Sequence, residues 1–112
     1  MGATTFVTTA KGTTADDAFR AATEDARYEY GHGGYTGTIA EKSEYRLFTL
    51  PEGMTPRQVI RLALSGAPTP EELAGHRELL EQIAETADDK WGPAACLKTG
   101  EEEYTFFGWA SE

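Results

Sequence analysis

Apolar positions along the chain change period several times, and each change marks a new element. From Ala3 to Ala10 the residues are Thr-rich and β-branched around Phe6 and Val7. That composition favours an extended strand, because branched side chains pack well on a pleated surface. Lys11-Gly12 turns the chain. Beyond it Ala15, Ala18, Phe19, Ala22, Ala26 and Tyr30 recur at steps of three and four, one continuous stripe on an α-helix. Thr13 and Thr14 offer hydroxyls to the first free amides, and Asp16 and Asp17 place negative charge at the positive helix end. The stripe is mostly alanine, so this helix can lie close to a sheet. Arg20, Glu24, Asp25 and Arg27 fall off the stripe and read as solvated. Gly31 stands where a left-handed C-cap is expected.

Further on, Thr36 to Lys42 and Glu44 to Leu50 read as two short extended pieces. Tyr45 and Leu47 alternate with Glu44 and Arg46, and the two pieces can pair across Lys42-Ser43. Thr55-Pro56-Arg57-Gln58 is a strong helix start, with Thr as cap, Pro in the first turn and Gln to reach back; Thr69-Pro70-Glu71-Glu72 repeats the device. The first helix turns Val59, Ile60, Ala63 and Leu64 inward and stops at Ser65-Gly66. The second turns Leu73, Leu80, Ile83, Ala84 and Ala87 inward, and Gly66-Ala67-Pro68 joins the two as a helical hairpin. Ala94 to Lys98 then pairs with Tyr104 to Trp109 across Thr99 to Glu103. This order predicts a single α+β domain over 1–112. Its expected form is a small antiparallel sheet of about four to five strands with the long Ala-rich helix and the helical hairpin packed on it, helices on one face. In the last strand Phe107 and Trp109 share one face, Tyr104 and Phe106 the other. Either a helix or a partner must cover the second aromatic face.

Composition narrows the function classes. The formal charge is -9, and the residues after 56 carry -6 of it, from five basic and eleven acidic side chains. Such a field repels phosphate backbones and anionic lipid, so neither nucleic acid nor membrane is an expected partner, and a basic protein surface is favoured. One cysteine, Cys96, rules out an intramolecular disulfide. No basic start with an apolar run opens the chain, and no stretch is long enough to span a bilayer, so the expected location is cytoplasmic.

Candidate chemistry concentrates in Gly31-His32-Gly33-Gly34-Tyr35-Thr36-Gly37, four glycines in seven residues. Glycine costs the most entropy on folding and is used where φ is positive or something approaches closely. The dinucleotide fingerprint is excluded by context, since these glycines follow a helix and precede an extended segment. Two readings remain. One is a helix C-cap followed by a tight turn. The other is a loop whose exposed amides, with His32 and Tyr35, grip a small polar or anionic ligand, with Tyr30, Gly33, Gly34, Thr36, Gly37, Glu41, Lys42 and Trp91 completing the site. Metal and cofactor are not expected, because two distant histidines and one cysteine in an apolar strand do not make a zinc set. His76 reads as a packing or surface residue, and Cys96 as a small buried hydrophobe. The protein-interface candidates are Glu78, Glu81 and Glu85 on the acidic helix, with Phe107 and Trp109, tryptophan being costly to expose and enriched at binding hot spots.

Three stretches, Asp17-Ala18-Phe19-Arg20 through Tyr28-Glu29-Tyr30-Gly31-His32 to Lys42, then Asp89 to Ala94, then Phe106 to Ala110, resemble small uncharacterised proteins of actinobacteria and their phages. The resemblance covers under half of the chain and carries over no catalytic residue. It implies a small accessory protein, phage-encoded in one version, that binds a host component or a small signalling molecule. The expected function is therefore binding without turnover, of a host protein or of a small polar ligand. The competing classes are an enzyme using His32 as general base oriented by Glu41, and an oligomerising domain, a homo-oligomer paired through the aromatic C-terminal hairpin.

Overall fold

The computed structural model describes residues 2–30, 36–65 and 69–111. Among these residues four strands and three α-helices run in the order β1 (Ala3–Lys11), α1 (Ala15–Tyr30), β2 (Tyr45–Phe48), α2 (Pro56–Ser65), α3 (Arg77–Asp88), β3 (Ala94–Gly100) and β4 (Glu103–Ser111). Short 3-10 turns occupy Ile39–Glu41 and Glu71–His76. The chain is an α+β fold built on one four-stranded sheet of order β1-β4-β3-β2.

β1 and β4 pair antiparallel over their whole length, with Val7 opposite Phe107 and Thr5 opposite Trp109. β4 also pairs antiparallel with β3. β2 pairs parallel with β3, Tyr45 opposite Ala94 and Phe48 opposite Leu97. The sheet is therefore mixed, where the sequence pattern had suggested an antiparallel one. The segment expected to pair with β2, Thr36 to Lys42, forms a loop and 3-10 turn instead. Without that hairpin, β2 reaches β3 through a crossover carrying α2 and α3, and a crossover of that length returns a strand parallel.

Helices cover both faces, which corrects the expectation of one. On the first, Ala15, Ala18, Ala22 and Ala26 of α1 bury against Phe6, Cys96, Phe106 and Ala110. Thr14 caps this helix, its hydroxyl accepting from the Asp17 amide at 3.2 Å. On the second face, Val59 and Ala63 of α2 and Leu80, Ile83 and Ala87 of α3 bury against Phe48, Leu97 and Phe107. So three of the aromatic residues that alternate along β4, Tyr104, Phe106 and Phe107, pack in cores covered by helices of this same chain. β4 is also paired on both edges, so the C-terminal hairpin lies inside the sheet and cannot pair across a dimer axis.

α2 starts where its capping box predicts. The Thr55 amide donates to Gln58 Oε1 at 2.9 Å and the Gln58 amide to Thr55 Oγ1 at 3.2 Å. The matching signal at Thr69-Pro70 opens only a 3-10 turn. Leu73, at φ -108 and ψ 16, breaks the helical path, and α3 proper begins at Arg77. Gly75 lies in that turn, and glycine is a poor helix interior.

Candidate functional site

The loop after α1 is organised by one carboxylate. Glu41 Oε2 accepts from the Thr36 amide at 2.9 Å and from the Thr36 hydroxyl at 2.8 Å. The Thr36 and Thr38 hydroxyls are 2.8 Å apart, and Thr38 Oγ1 accepts from the Ala40 amide at 3.2 Å as the cap of the 3-10 turn. Gly37, at φ 70, donates its amide to the Ser111 carbonyl at 2.7 Å. That left-handed backbone is what glycine supplies cheaply. Thr36, Gly37 and Glu41, three sequence candidates, thus form one locally bonded unit fixed to the end of β4. The Glu41 oxygen that holds Thr36 is committed to the loop.

Lys42 carries the largest surprise. Its side chain is 2% exposed, and Nζ donates to three backbone carbonyls, of Asp89 at 3.0 Å, Lys90 at 3.2 Å and Gly92 at 3.0 Å. These carbonyls lie just beyond the C-terminus of α3, where the helix dipole and the unpaired carbonyls favour a cation. Burial pushes the ammonium below the ordinary lysine value of 10.5, and the Asp89 carboxylate pulls the other way. No local pattern signals this, since a lysine between glutamate and serine looks like surface. Lys42 is a structural clamp between the loop and the turn at 89–92.

That turn presents Trp91. The Asp89 carboxylate accepts from the Trp91 amide at 3.0 Å, and the Gly92 amide donates to the Asp89 carbonyl at 3.1 Å. A Cβ at position 92 would come within 2.7 Å of Asp89 Oδ2, so glycine there lets the cap form. Trp91 is 64% exposed, and the Lys90 ammonium stands 5.3 Å from its ring centroid. The fold therefore links candidates from two distant stretches, with Glu41 and Lys42 on one side and Trp91 on the other. The Asp89-x-x-Gly92 spacing is the one local signal that could have flagged the anchored turn.

His32, Gly33, Gly34 and Tyr35 lie outside the described residues, and the Tyr30 side chain does too. The interface candidates divide. Glu78, Glu81 and Glu85 are exposed on α3, the helix that leads into the Trp91 turn. Phe107 is fully buried beneath α2 and α3, so it is closed to any partner; Trp109 is half-buried opposite Thr5. His76 Nε2 pairs with the Glu52 carbonyl at 3.1 Å, a packing role. Cys96 is fully buried, and burial pushes its thiol up to about 12, far from a nucleophile's range. Among the described residues no group of three or more His, Cys, Asp or Glu side chains is placed to hold a metal ion. Among them no helix is long and apolar enough to cross a membrane. In comparisons with protein-family models, with curated proteins and with solved structures, this chain matches none of them.

Proposed function

We propose that this protein is a non-enzymatic binding module whose working surface centres on Trp91. The observation that carries the reading is a largely exposed tryptophan on a turn that a buried lysine and a capping aspartate hold in place. A large ring fixed before contact loses little entropy when it is covered, which is how aromatic anchors contribute most of the affinity of small interfaces. The exposed acids of α3 lie along the element that enters this turn, so the surface suits a partner with a basic rim and an apolar pocket. A host protein of that character is the favoured partner.

The small-ligand version places a polar or anionic molecule at the glycine-rich segment, beside the Thr36–Glu41 unit. The enzyme version needs Glu41 to orient His32, yet that carboxylate already holds the Thr36 amide and hydroxyl, which favours binding over turnover.

Trp91→Ala tests the reading. The variant should keep its unfolding midpoint and lose capture of the partner in a pull-down from the native host, by tenfold or more. Glu78→Lys with Glu81→Lys should weaken capture in a salt-dependent way. Retained capture by Trp91→Ala would rule out this surface.

A further inference from the structure

Acids outnumber Lys and Arg by 19 to 10 in this chain, yet two of its cations lack a counter-ion. Arg57 and Arg61 stand about one turn apart on α2, both exposed. Among the described residues neither guanidinium takes part in an ion pair, hydrogen bond or ring contact. The pair is unfavourable as it stands. Like charges four residues apart on a helix repel, and Arg57 lies in the first turn of α2, where the helix dipole is itself positive and no acid offsets it.

Both arginines wall a hollow of about 430 Å³, within the range of about 300–1,000 Å³ in which proteins hold small organic molecules. Met54, Leu62 and Leu73 supply its apolar walls. A tight turn delivers Met54, whose amide donates to the Pro51 carbonyl at 3.1 Å with Gly53 at φ 82. Leu73 is the residue that leaves the helical path, and His76, from the same 3-10 turn, donates to the Glu52 carbonyl at 3.1 Å. The two turns that form the wall opposite α2 are thereby joined, so the hollow exists before a ligand arrives. Gln58 also lines it. Its Oε1 accepts from the Thr55 amide, and its Nε2 takes no partner among the described residues. The free side-chain groups on the α2 wall, Arg57, Arg61 and Gln58 Nε2, are thus all donors.

We propose that this hollow binds a small amphiphilic carboxylate, an anionic head on an aliphatic or aromatic body. A guanidinium presents parallel N–H groups that match two carboxylate oxygens, and the second arginine stands one turn along the same wall. The body of the ligand then covers Met54, Leu62 and Leu73. A bare anion would leave that apolar wall wet, and a neutral molecule would leave the two guanidiniums facing each other. On the opposite side of the same arginines, Thr9, Thr99 and Thr105 line a second hollow and their hydroxyls bond one another, so the apolar body belongs on the Leu62 side. Glu81 stands beside Leu62 in the adjoining groove between α2 and α3. The field therefore turns negative past Leu62, which disfavours a longer acidic chain and suits a ligand with one charged end.

Isothermal titration of the purified full chain with octanoate, octanol and acetate separates the two halves of the site. Octanoate should bind saturably, one per chain. Octanol has the body without the charge and acetate the head without the body, and each should bind about tenfold more weakly or worse. In an amide NMR titration, octanoate should shift Met54, Leu62 and Leu73 and leave Trp91, beyond the far end of α3, in place. Arg57→Gln with Arg61→Gln should weaken octanoate about tenfold or more and leave octanol unchanged. Far-UV circular dichroism checks folding, and if the double variant misfolds, Arg61→Gln alone asks the same question. No saturable binding at millimolar octanoate, acetate or octanol binding as tightly, an affinity indifferent to the arginines, or shifts centred elsewhere would overturn the proposal. Octanoate binding is read without any protein partner, so its failure leaves the Trp91 reading standing.

Discussion

On one face of the sheet α1 sets four alanines, Ala15, Ala18, Ala22 and Ala26, against Phe6 and Phe106, while on the other α2 and α3 bring Val59, Leu80 and Ile83 to meet Phe48 and Phe107. The first face is filled mostly from the sheet side, by letting a smooth helix lie close. Phe19, Tyr45 and Phe106 close its open end as a ring cluster with centroids 5.1 to 5.7 Å apart. The second is filled from both sides by branched and aromatic side chains. A face packed by closeness has no room for added volume, and a face packed by interdigitation has no substitute for volume removed.

That contrast can be broken by experiment. Phe107→Ala should cost about 3–5 kcal/mol in urea unfolding, the range for truncating a buried aromatic. Ala18→Leu should cost about 1–3 kcal/mol through overpacking. An Ala18→Leu chain as stable as the parent would mean that α1 can lift away from the sheet, and the faces would differ less than their packing indicates.

Lys42 tests what joins the two faces, because it reaches from the loop after α1 to the end of α3. Lys42→Met keeps the bulk and removes the donors, leaving three carbonyls short of a partner. Stability should fall by about 2 kcal/mol, and the Trp91 and Gly92 amides should exchange faster than those of β4. Unchanged stability would show that desolvating the ammonium cancels its bonds. The lowered native value makes the native state the weaker proton binder, so in the parent this group's contribution rises with pH until the unfolded value of 10.5 is passed. Lys42→Met should lack that rise.

Cys96 gives the smallest effect and the opposite sign. Its folded value of about 12 lies above the ordinary 9.0, so its stabilisation is complete below pH 9 and is lost as pH climbs towards 12. A Cys96→Ala chain starts less stable but lacks this loss. The gap between the two should narrow by about 1.4 kcal/mol from about pH 8 to about pH 10. A constant gap would mean the thiol ionises as easily in the folded chain as in the unfolded one.

Much of the fold was legible because it is written in local pattern. The alanine stripe placed α1, Thr55 to Gln58 placed the start of α2, and the alternation of Tyr104 to Trp109 named both faces of β4. The candidate site was legible only in part. Trp91 stood out as a costly residue, but Lys42 gave no local signal, since its partners lie 47 to 50 residues away. The loop at Thr36 to Lys42 read as a strand because its side chains suit one; the bonds from Glu41 to Thr36 and from Gly37 to Ser111 outweighed that preference.

The sequence by itself determined the course of α1, the capped start of α2 and which residues are apolar enough to be inside, because each of those depends on neighbours within a turn or two of the chain. Only the tertiary structure decided that β2 returns parallel beside β3, that helices cover both faces, that β1 stands at one edge of the sheet and that Lys42 is a clamp. Those outcomes are set by contacts between residues far apart in sequence, whose free energy no local window contains.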